Sequence, residues 1–328
     1  VIFVGVHLVF SGGLSAGILV GFNMLAGRVS RPIIDLVTLK TEIGKLVQSL
    51  QIVSGIVDAN SETSVRGQKP QLMGQINFKK VEFSYDDETK ILKEIDLDID
   101  PRQIVGITGK SGCGKSTMAK LIQGLYRPQS GIVGLDNIDL RLLDLSHIRS
   151  QVSLVGAESY FFPGTIRENI SRPMPNSSMD RITWATKKVF AHEEIESFPD
   201  AYETFLEENA SNISTGLRQK FAIARALIRN PRILILDDAM SGFDVDSEIK
   251  LYDGLPDIAL GRTVIIVSNR LYHLRLCNKI FVLDNGKISQ QGSFESLKNE
   301  PGFFSETYKK QSSILGESST HKILKKAV

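Results

Sequence analysis

The sequence predicts an α/β domain that is preceded by transmembrane helices. Two continuous runs of Leu and β-branched residues, Ile233–Leu236 and Val264–Val267, are typical of parallel strands that are buried on both faces. A third apolar run, Ile104–Thr108, leads directly into a glycine-rich turn. Residues 1–27 contain no Lys, Arg, Asp or Glu, which is typical of membrane helices. The chain has 328 residues, which suffices for roughly two domains.

The composition excludes several classes of protein. With 42% hydrophobic and 23% charged residues, the chain is neither collagen-like, nor of low complexity, nor disordered throughout. Its net charge is +2, from 39 basic and 37 acidic residues, so no overall field favours nucleic acid as a partner. The two cysteines, Cys113 and Cys277, form no CxxC pair. This argues against a disulfide framework or a cysteine zinc site and favours a reducing compartment.

Residues 1–58 are predicted to be the end of a transmembrane domain. Residues 1–10 and 18–26 are apolar and flank a loop rich in Ser and Gly. A spanning helix needs about 20 apolar residues, so the first stretch is interpreted as the end of one span and the second as the start of the last span. Basic residues from Arg28 onward mark the cytoplasmic side, and apolar residues at helical spacing over 38–58 predict a cytosolic stalk. Pro32 is expected to bend the second of these helices without ending it. The alternative is a buried helical hairpin of a soluble protein.

The rest of the chain divides into segments that differ in composition and in hydrophobic pattern. Residues 59–74 are polar and predict a linker, whereas residues 75–310 alternate between strand and helix patterns. Residues 311–328 are rich in Ser and Lys and predict a disordered tail. Because the chain opens with apolar Val1 rather than a basic signal-peptide region, we expect it to begin inside a larger membrane protein.

A glycine-rich motif predicts a phosphate-binding P-loop. It matches G-x-x-x-x-G-K-[ST] between a strand and a helix, where backbone N–H groups and the helix N-terminus attract phosphate. Lys115 would reach the β- and γ-phosphates, and Ser116 would ligate Mg²⁺ together with Asp237, which ends an apolar strand. A structural glycine turn, and a buried strand with an exposed terminal Asp, are the alternatives. The predicted nucleotide-binding residues of the loop are Gly109, Ser111, Gly112, Cys113, Gly114, Lys115, Ser116 and Thr117.

Cys113 lies within this loop, near Lys115 and a helix N-terminus. Both neighbours favour a thiolate, so we expect the pKa of the Cys113 thiol to be lowered and its alkylation to block nucleotide binding. The alternative is a small residue that the loop merely tolerates.

The segment Ile213–Leu227 lies between the loop and Asp237 and reads ISTGLRQKFAIARAL. It resembles the LSGGQ-R-Q-R signature of the ATP-binding cassette (ABC) family. Residues 75–310 resemble the nucleotide-binding domain of that family, and residues 7–32 resemble the last membrane helices of type I secretion exporters of the haemolysin-exporter kind. The resemblance implies a P-loop NTPase cassette domain with a helical subdomain, and ATP and Mg²⁺ as its ligands.

The resemblance also implies roles for individual residues. Tyr85 matches the aromatic residue that stacks on adenine, with a core tyrosine of a strand as the alternative. Ser214 and Gly216 match the signature positions that close over the γ-phosphate of the partner subunit's ATP. Ser241–Asp244 matches the D-loop, and the loop around Glu208 matches the segment that couples the cassette to the membrane domain.

The sequence departs from the family pattern at groups that serve hydrolysis. Asp238 stands where the family has a catalytic Glu, Asn269 where it has the switch His, and Ala157 where it has a Gln that contacts Mg²⁺ and the attacking water. Thr215 and Leu217 replace a Gly and the Gln of the signature. A shortened carboxylate, an amide that carries no charge and a methyl group together predict ATP binding with weak or absent hydrolysis.

The sequence thus predicts the ATP-binding subunit of an ABC exporter in the inner (plasma) membrane, with its cassette in the cytoplasm. By resemblance, its partners are a second exporter half, identical or different, a periplasmic adaptor, an outer-membrane channel, a polypeptide cargo and membrane lipid, but not nucleic acid. An unequal second half is favoured, because a homodimer would carry the alterations in both of its composite sites. The alternatives are a slow but active homodimeric transport ATPase and a soluble ABC ATPase or regulator without a transport role.

Overall fold

The computed structural model describes residues 2–57, 67–86 and 89–315. Contacts between residues divide the chain into a helical unit, Val1–Thr63, and an α/β unit, Ser64–Val328. Residues 58–66, which include the whole first half of the predicted linker, and residues 316–328 of the predicted tail lie outside the described residues.

The described part of the helical unit consists of α1 (Ile2–Phe10) and α2 (Ala16–Val57). The two helices approach so closely that a Cβ on Gly5 would lie 2.1 Å from Leu19 Cδ1, which explains the small residue there. Helix α2 continues through Pro32, as predicted. Within the described residues, no helix combines the length and the apolar character that a membrane span requires. The predicted transmembrane helices are therefore not confirmed.

The α/β unit alternates strands and helices along most of its length. Its strands are β1 (Ile76–Phe83), β2 (Leu92–Ile99), β3 (Ile104–Gly109), β4 (Ser130–Leu135), β5 (Ile138–Asp139), β6 (Val152–Val155), β7 (Gly164–Thr165), β8 (Phe205–Leu206), β9 (Ile233–Asp237), β10 (Thr263–Val267), β11 (Lys279–Asp284) and β12 (Lys287–Gly292). Its helices are α3 (Lys115–Ile122), α4 (Leu145–Gln151), α5 (Ile166–Ser171), α6 (Met179–Lys188), α7 (His192–Glu196), α8 (Thr215–Leu227), α9 (Val245–Ala259), α10 (Phe294–Asn299) and α11 (Phe303–Leu315).

Six strands form the central sheet in the order β12-β11-β3-β10-β9-β6. The strands from β11 to β6 are parallel to their neighbours, whereas β12 pairs with β11 in the antiparallel direction. The register places Val267 of β10 beside both Ile107 of β3 and Asp237 of β9. The ends of β6 and β11 align with Leu236 and Gly109. The carboxyl ends of all five parallel strands therefore lie at one edge of the sheet.

Both faces of the central sheet are buried, as its apolar runs predict. In β10, Val264 and Ile266 belong to one apolar core, and Ile265 and Val267 belong to the other. The first core is shared with α6, α8 and α9, and the second with β1, β2 and α3. Burial on both sides explains why these strands are apolar at every position and not at alternate positions.

The remaining elements cover the two faces of the central sheet. Strands β2-β1-β4-β5 form an antiparallel sheet against the second core, and β1 is irregular where Lys79 and Lys80 are both exposed. Helices α5 to α8 all lie between β6 and β9 in the chain, where the family resemblance implies a helical subdomain. A hairpin turn at Asn285 and Gly286 joins β11 to β12.

The last described helix corrects the predicted boundary of the tail. The sequence prediction starts a disordered tail at residue 311, whereas α11 continues to Leu315. The reason is that α11 is anchored at both ends. Phe304 is fully buried, and the side-chain amide of Gln311 binds the backbone of Asn269 and Leu271.

Phe221 in α8 is fully buried in the first core. We expect Phe221→Ala to lower the free energy of unfolding of the α/β unit by about 3–5 kcal/mol, because it leaves a cavity. Urea titration of the full chain, followed by circular dichroism, measures this change. Phe205→Ala is the matched control, since 58% of Phe205 is exposed, and it should cost about 0.5 kcal/mol or less. Equal losses in the two variants would contradict this assignment of the core.

Candidate nucleotide-binding site

The loop between β3 and α3 depends on two glycines. Gly109 has φ +146°, and a Cβ there would lie 2.1 Å from the carbonyl oxygen of Leu283 on β11. Gly114 has φ +106°, and a Cβ there would lie 2.6 Å from Leu92 Cδ2. Neither the backbone conformation nor the space admits a side chain at these positions. The shape of the loop therefore requires both glycines.

Lys115 combines with this loop to form a phosphate-binding arrangement. It is the first residue of α3 and only 7% exposed, and its Nζ donates hydrogen bonds to the carbonyl oxygens of Gly109 and Lys110, each 2.9 Å away. The N-cap residue of α3 is Gly114, which offers no side-chain acceptor to the first N–H groups of the helix. An ammonium group beside a helix N-terminus is suited to bind phosphate oxygens.

Ser116 and Asp237 lie near each other beside the phosphate loop. The Asp237 carboxylate ends β9, and the Ser116 hydroxyl is close enough to stabilise its ionised form. Burial raises the pKa of Asp237 above its ordinary value, and Ser116 and the charge of Lys115 offset part of that rise. A hydroxyl and a carboxylate are oxygen ligands of the kind that Mg²⁺ prefers, so this pair fits a magnesium ion.

Tyr85 lies beside the loop with its ring accessible. Its hydroxyl is 3.3 Å from Thr117 Oγ1, and 48% of the residue is exposed. The ring packs edge to face against Phe83 and Tyr126, with centroid distances of 5.0 and 5.1 Å. Lys120 Nζ lies 5.6 Å from the centroid of the Tyr85 ring. An exposed aromatic ring next to a phosphate site is suited to stack on a nucleobase, and its exposure argues against the alternative of a core tyrosine.

Comparisons with known proteins agree with this geometry. A family model described as ABC transporter matches residues 92–241. This chain contains an ABC transporter domain. The family predicted from the sequence is thereby confirmed, and with it the class of ATPase to which the domain belongs.

Individual relatives extend the similarity over most of the chain. The leukotoxin export ATP-binding protein LtxB of Aggregatibacter actinomycetemcomitans is 38% identical over 307 residues, which make up 93% of this chain and 43% of that protein. The alpha-hemolysin translocation ATP-binding protein HlyB of Escherichia coli is 38% identical over 315 residues, 95% of this chain and 44% of that protein. The structure of a bacterial Atm1-family ABC exporter with ATP bound matches 92% of this chain and 53% of its own, with TM-score 0.77 and 28% identity. The chain thus spans less than half the length of these two curated relatives.

Three residues of the ABC domain follow strands that end at the edge of the phosphate loop. Asp238 directly follows β9 with φ +49°, and its N–H donates to the carbonyl oxygen of Val267, 2.9 Å away. Ala157 lies two residues beyond β6, Asn269 lies two residues beyond β10, and both are exposed. The sheet register therefore brings the three positions that the resemblance predicts to serve hydrolysis to the edge where the loop after β3 lies.

A second group of contacts surrounds Gly242, which belongs to the D-loop. Ser214 caps α8, because its Oγ accepts from the N–H of Leu217 at 3.2 Å. A Cβ on Gly216 would lie 3.1 Å from the carbonyl oxygen of Gly242. A Cβ on Gly242 would lie 2.6 Å from Thr215 Cγ2, so the branched Thr215 fits because residue 242 is glycine. The start of the signature helix is thus packed against the D-loop of the same ABC domain.

Gln219 connects these loops, although the sequence analysis gave it no role. It is 3% exposed, and its Nε2 donates to the carbonyl oxygen of Ala157 at 3.0 Å and to Ser241 Oγ at 3.1 Å. Its Oε1 accepts from the N–H of Gly242 at 2.9 Å. A single amide therefore joins the Ala157 loop to the predicted D-loop. Gln219 matches the second Gln of the LSGGQ-R-Q-R signature, and this match is the signal that could have pointed to it.

A buried polar cluster lies next to Asn269, in and around the loop that follows β10, and the sequence analysis did not predict it. Ser268 Oγ accepts from the N–H of Arg270 at 3.1 Å and lies 2.9 Å from His273 Nδ1. His273 Nε2 contacts Glu248 Oε1, which also accepts from Arg270 Nη1 at 3.0 Å. Burial raises the pKa of Glu248, but the hydrogen bond and charge of His273 and the charge of Arg270 outweigh burial, so that this pKa is lowered. The cluster fixes the backbone of the loop that follows β10.

The structure corrects the expectation for Cys113. Its side chain is buried, with Sγ 4.0 Å from Lys115 Nζ. Burial raises the pKa of the thiol, and this effect outweighs the lowering by Lys115. The predicted lowered pKa is therefore wrong, because loss of hydration dominates at this position.

We expect both thiols of the native chain to react slowly with a chromogenic disulfide reagent at pH 7. Cys113 and Cys277 are buried, and burial raises the pKa of each. The same titration in denaturant should modify both of the chain's 2 cysteines, which is the internal control. A native thiol that reacts as fast as free cysteine would contradict the burial of that residue.

Glu248→Gln should lower the free energy of unfolding at pH 7, because the ion pairs with His273 and Arg270 are lost. A lowered folded-state pKa stabilises the protein above the ordinary glutamate value of 4.5, and this contribution is lost as pH falls through the folded-state pKa. The difference between wild type and variant should therefore shrink below about pH 4.5. Denaturant titrations from pH 3 to pH 7 measure it, with the exposed Glu295→Gln as control. A difference that does not vary with pH would contradict the assigned ionisation.

Proposed function

We propose that the chain is the ATP-binding part of an ABC exporter of the type I secretion kind, and that it binds Mg²⁺-ATP but hydrolyses it weakly. The observation that carries the binding proposal is the assembled phosphate site. Lys115 is held inside a loop whose two glycines have a positive φ that disfavours any side chain, and Ser116 and Asp237 lie next to it. The relatives named for export or translocation, and the exporter structure with ATP bound, support the transport class.

The residues divide the binding of Mg²⁺-ATP among themselves. The loop N–H groups and Lys115 would bind the β- and γ-phosphates, and Tyr85 would stack on the adenine ring. Ser116 and Asp237 would hold Mg²⁺, which supplies neutralisation of charge on the phosphate oxygens. Burial raises the pKa of Asp237, and a bound cation would favour the ionised form of this carboxylate.

The proposal of weak hydrolysis rests on three side chains. The Asp238 carboxylate is one methylene shorter than Glu, which withdraws a base by roughly 1.5 Å, more than the ~0.5 Å that a positioned group tolerates. Asn269 can donate one hydrogen bond to a γ-phosphate but cannot carry a positive charge. Ala157 offers neither a ligand to Mg²⁺ nor a hydrogen bond to water from its side chain. A well-placed general base contributes about 10²–10⁴-fold to a rate, so its loss alone is large.

The proposed assembly is a dimer of exporter halves in the inner membrane. Each ATP would lie between the phosphate loop of one half and Ser214 and Gly216 of the other. If the second half is a different chain with intact hydrolytic groups, each composite ATP site would combine altered residues from one half with intact residues from the other. Large apolar side chains of α1 and α2 are exposed, with Phe22 57% and Leu36 67% accessible, which supports a place for these helices among lipid or partner helices. The relatives named for leukotoxin export and alpha-hemolysin translocation support a polypeptide cargo. The resemblance to type I secretion exporters implies a periplasmic adaptor and an outer-membrane channel as further partners.

Parallel measurement of ATP affinity and steady-state phosphate release tests this proposal. The double variant Asp238→Glu/Asn269→His should raise turnover by about 10²-fold or more, with ATP affinity nearly unchanged, because both substitutions restore groups outside the phosphate loop. Lys115→Ala is the control and should lose ATP binding. The full chain in detergent or lipid is used for all three proteins.

Three results would contradict parts of the proposal. Wild-type turnover that equals that of the double variant would contradict impaired hydrolysis and favour the slow but active homodimer. Absence of Mg²⁺-ATP binding by the wild type would contradict the ATP-binding role as a whole. Partition of the full chain into the aqueous phase in a detergent phase separation would favour the soluble ABC ATPase or regulator.

A further inference from the structure

The switch loop, Ser268–Leu271, carries Asn269 and is held from behind by the buried cluster around His273. Ser268 Oγ accepts the N–H of Arg270 at 3.1 Å and lies 2.9 Å from His273 Nδ1. The other ring nitrogen of His273, Nε2, contacts Glu248, which α9 carries. Ser268 and His273 are 2% and 3% exposed, which keeps water from competing for these bonds.

Gln311 of helix α11 holds the other side of the switch loop. Its Nε2 donates to the carbonyl oxygen of Asn269 at 2.7 Å, and its Oε1 accepts from the N–H of Leu271 at 2.9 Å. One side-chain amide thus satisfies the acceptor of residue 269 and the donor of residue 271, as a paired strand would. The side chain of Asn269 takes no part in either bond and is exposed.

Helix α11 is a firm support for this contact. Phe304 is fully buried, and its ring lies 5.4 Å from that of Phe294 in an edge-to-face pair. Tyr308 packs on the same Phe294 at 5.7 Å. Positions 304, 308 and 311 are spaced i, i+4 and i+7, so they share one face of α11. Packing of the first two residues therefore sets where the amide of Gln311 lies.

We propose that Gln311 is a positioning residue for γ-phosphate recognition, which fixes the backbone of the switch loop so that the Asn269 amide is aimed at the terminal phosphate of ATP. This inference rests on the proposed ATP-binding function. The amide of Asn269 is a neutral donor, so its contribution depends on alignment more than that of a charged group would. A loop held at both sides supplies that alignment before the nucleotide arrives. ADP lacks the γ-phosphate, and its binding should not depend on Gln311.

The test compares Kd values for Mg²⁺-ATP and Mg²⁺-ADP, measured by calorimetry on the full chain. Gln311→Ala should weaken ATP binding by about 5-fold, the equivalent of about one hydrogen bond, and leave ADP binding unchanged. Gln311→Glu keeps the acceptor for Leu271 but sets a carboxylate against the carbonyl oxygen of Asn269, so its loss should be at least as large. Lys310→Ala, on the exposed side of the same helix, is the matched control.

A double-mutant cycle separates positioning from general stability. In an Asn269→Ala background, Gln311→Ala should have no further effect on the ratio of ADP to ATP dissociation constants, because the aimed group is gone. An unchanged ratio in the single Gln311→Ala variant, or equal losses of ATP and ADP affinity, would overturn the proposal. An effect of Gln311→Ala that persists at full size without the Asn269 amide would also overturn it.

Amide hydrogen exchange distinguishes failure of this inference from failure of the proposed function. In nucleotide-free chain, Gln311→Ala should speed exchange of the Leu271 N–H by about 5-fold or more, since that N–H loses its acceptor. An unchanged exchange rate of the Leu271 N–H would contradict the role of Gln311 in fixing the switch loop, whether or not the chain binds ATP. If the exchange rate rises as expected but wild type binds no Mg²⁺-ATP, Gln311 fixes the loop, and the proposed role of Asn269 and Gln311 in nucleotide binding is refuted.

Discussion

The parallel register of β3, β10 and β9 is the constraint on which the rest of the α/β unit depends. Val267 stands level with Ile107 and with Asp237, so the phosphate loop, the metal-binding carboxylate and the switch loop all begin at the same height of the sheet. A slip of one residue would turn every side chain of a strand to the opposite core and would also move its loop by about 3.3 Å. The two apolar cores on either face exclude such a slip, and thereby position the site.

The site uses two kinds of support for its loops. The phosphate loop is fixed by close packing, because Gly109 lies too near the backbone of Leu283 to admit a side chain. Lys115 also binds carbonyl oxygens of the loop itself. The loops that carry Ala157 and Asn269 are fixed by hydrogen bonds from distant helices, through Gln219 of α8 and Gln311 of α11. The first kind depends on the residues of the loop, whereas the second depends on residues far away in the chain.

This difference explains how much the sequence predicted. The motif around Lys115 and the apolar strand before Asp237 are local patterns, and the structure has each where it was predicted. Tyr85 required the family resemblance as well, because a tyrosine of a strand can be exposed or part of the core. Gln219 matches a signature position, but its contacts with two loops arise only from tertiary packing. Gln311 matches no motif and was even assigned to a disordered tail. The Cys113 pKa failed for a related reason, since burial is a tertiary property and it outweighs the local charge of Lys115.

The same division bears on why hydrolytic groups can change while the fold persists. Gln219 binds the backbone carbonyl oxygen of Ala157, and Gln311 binds that of Asn269. The path of each loop therefore does not depend on the side chain at residue 157 or 269. Asp238 is likewise fixed through its N–H and the carbonyl oxygen of Val267. All three positions can therefore exchange their chemical groups without leaving a buried polar atom unpaired or opening a cavity. Gly109 and Gly114 have no such freedom, because any side chain would collide with a neighbouring strand or loop. The proposed combination of weak hydrolysis with retained nucleotide binding is thus compatible with this fold.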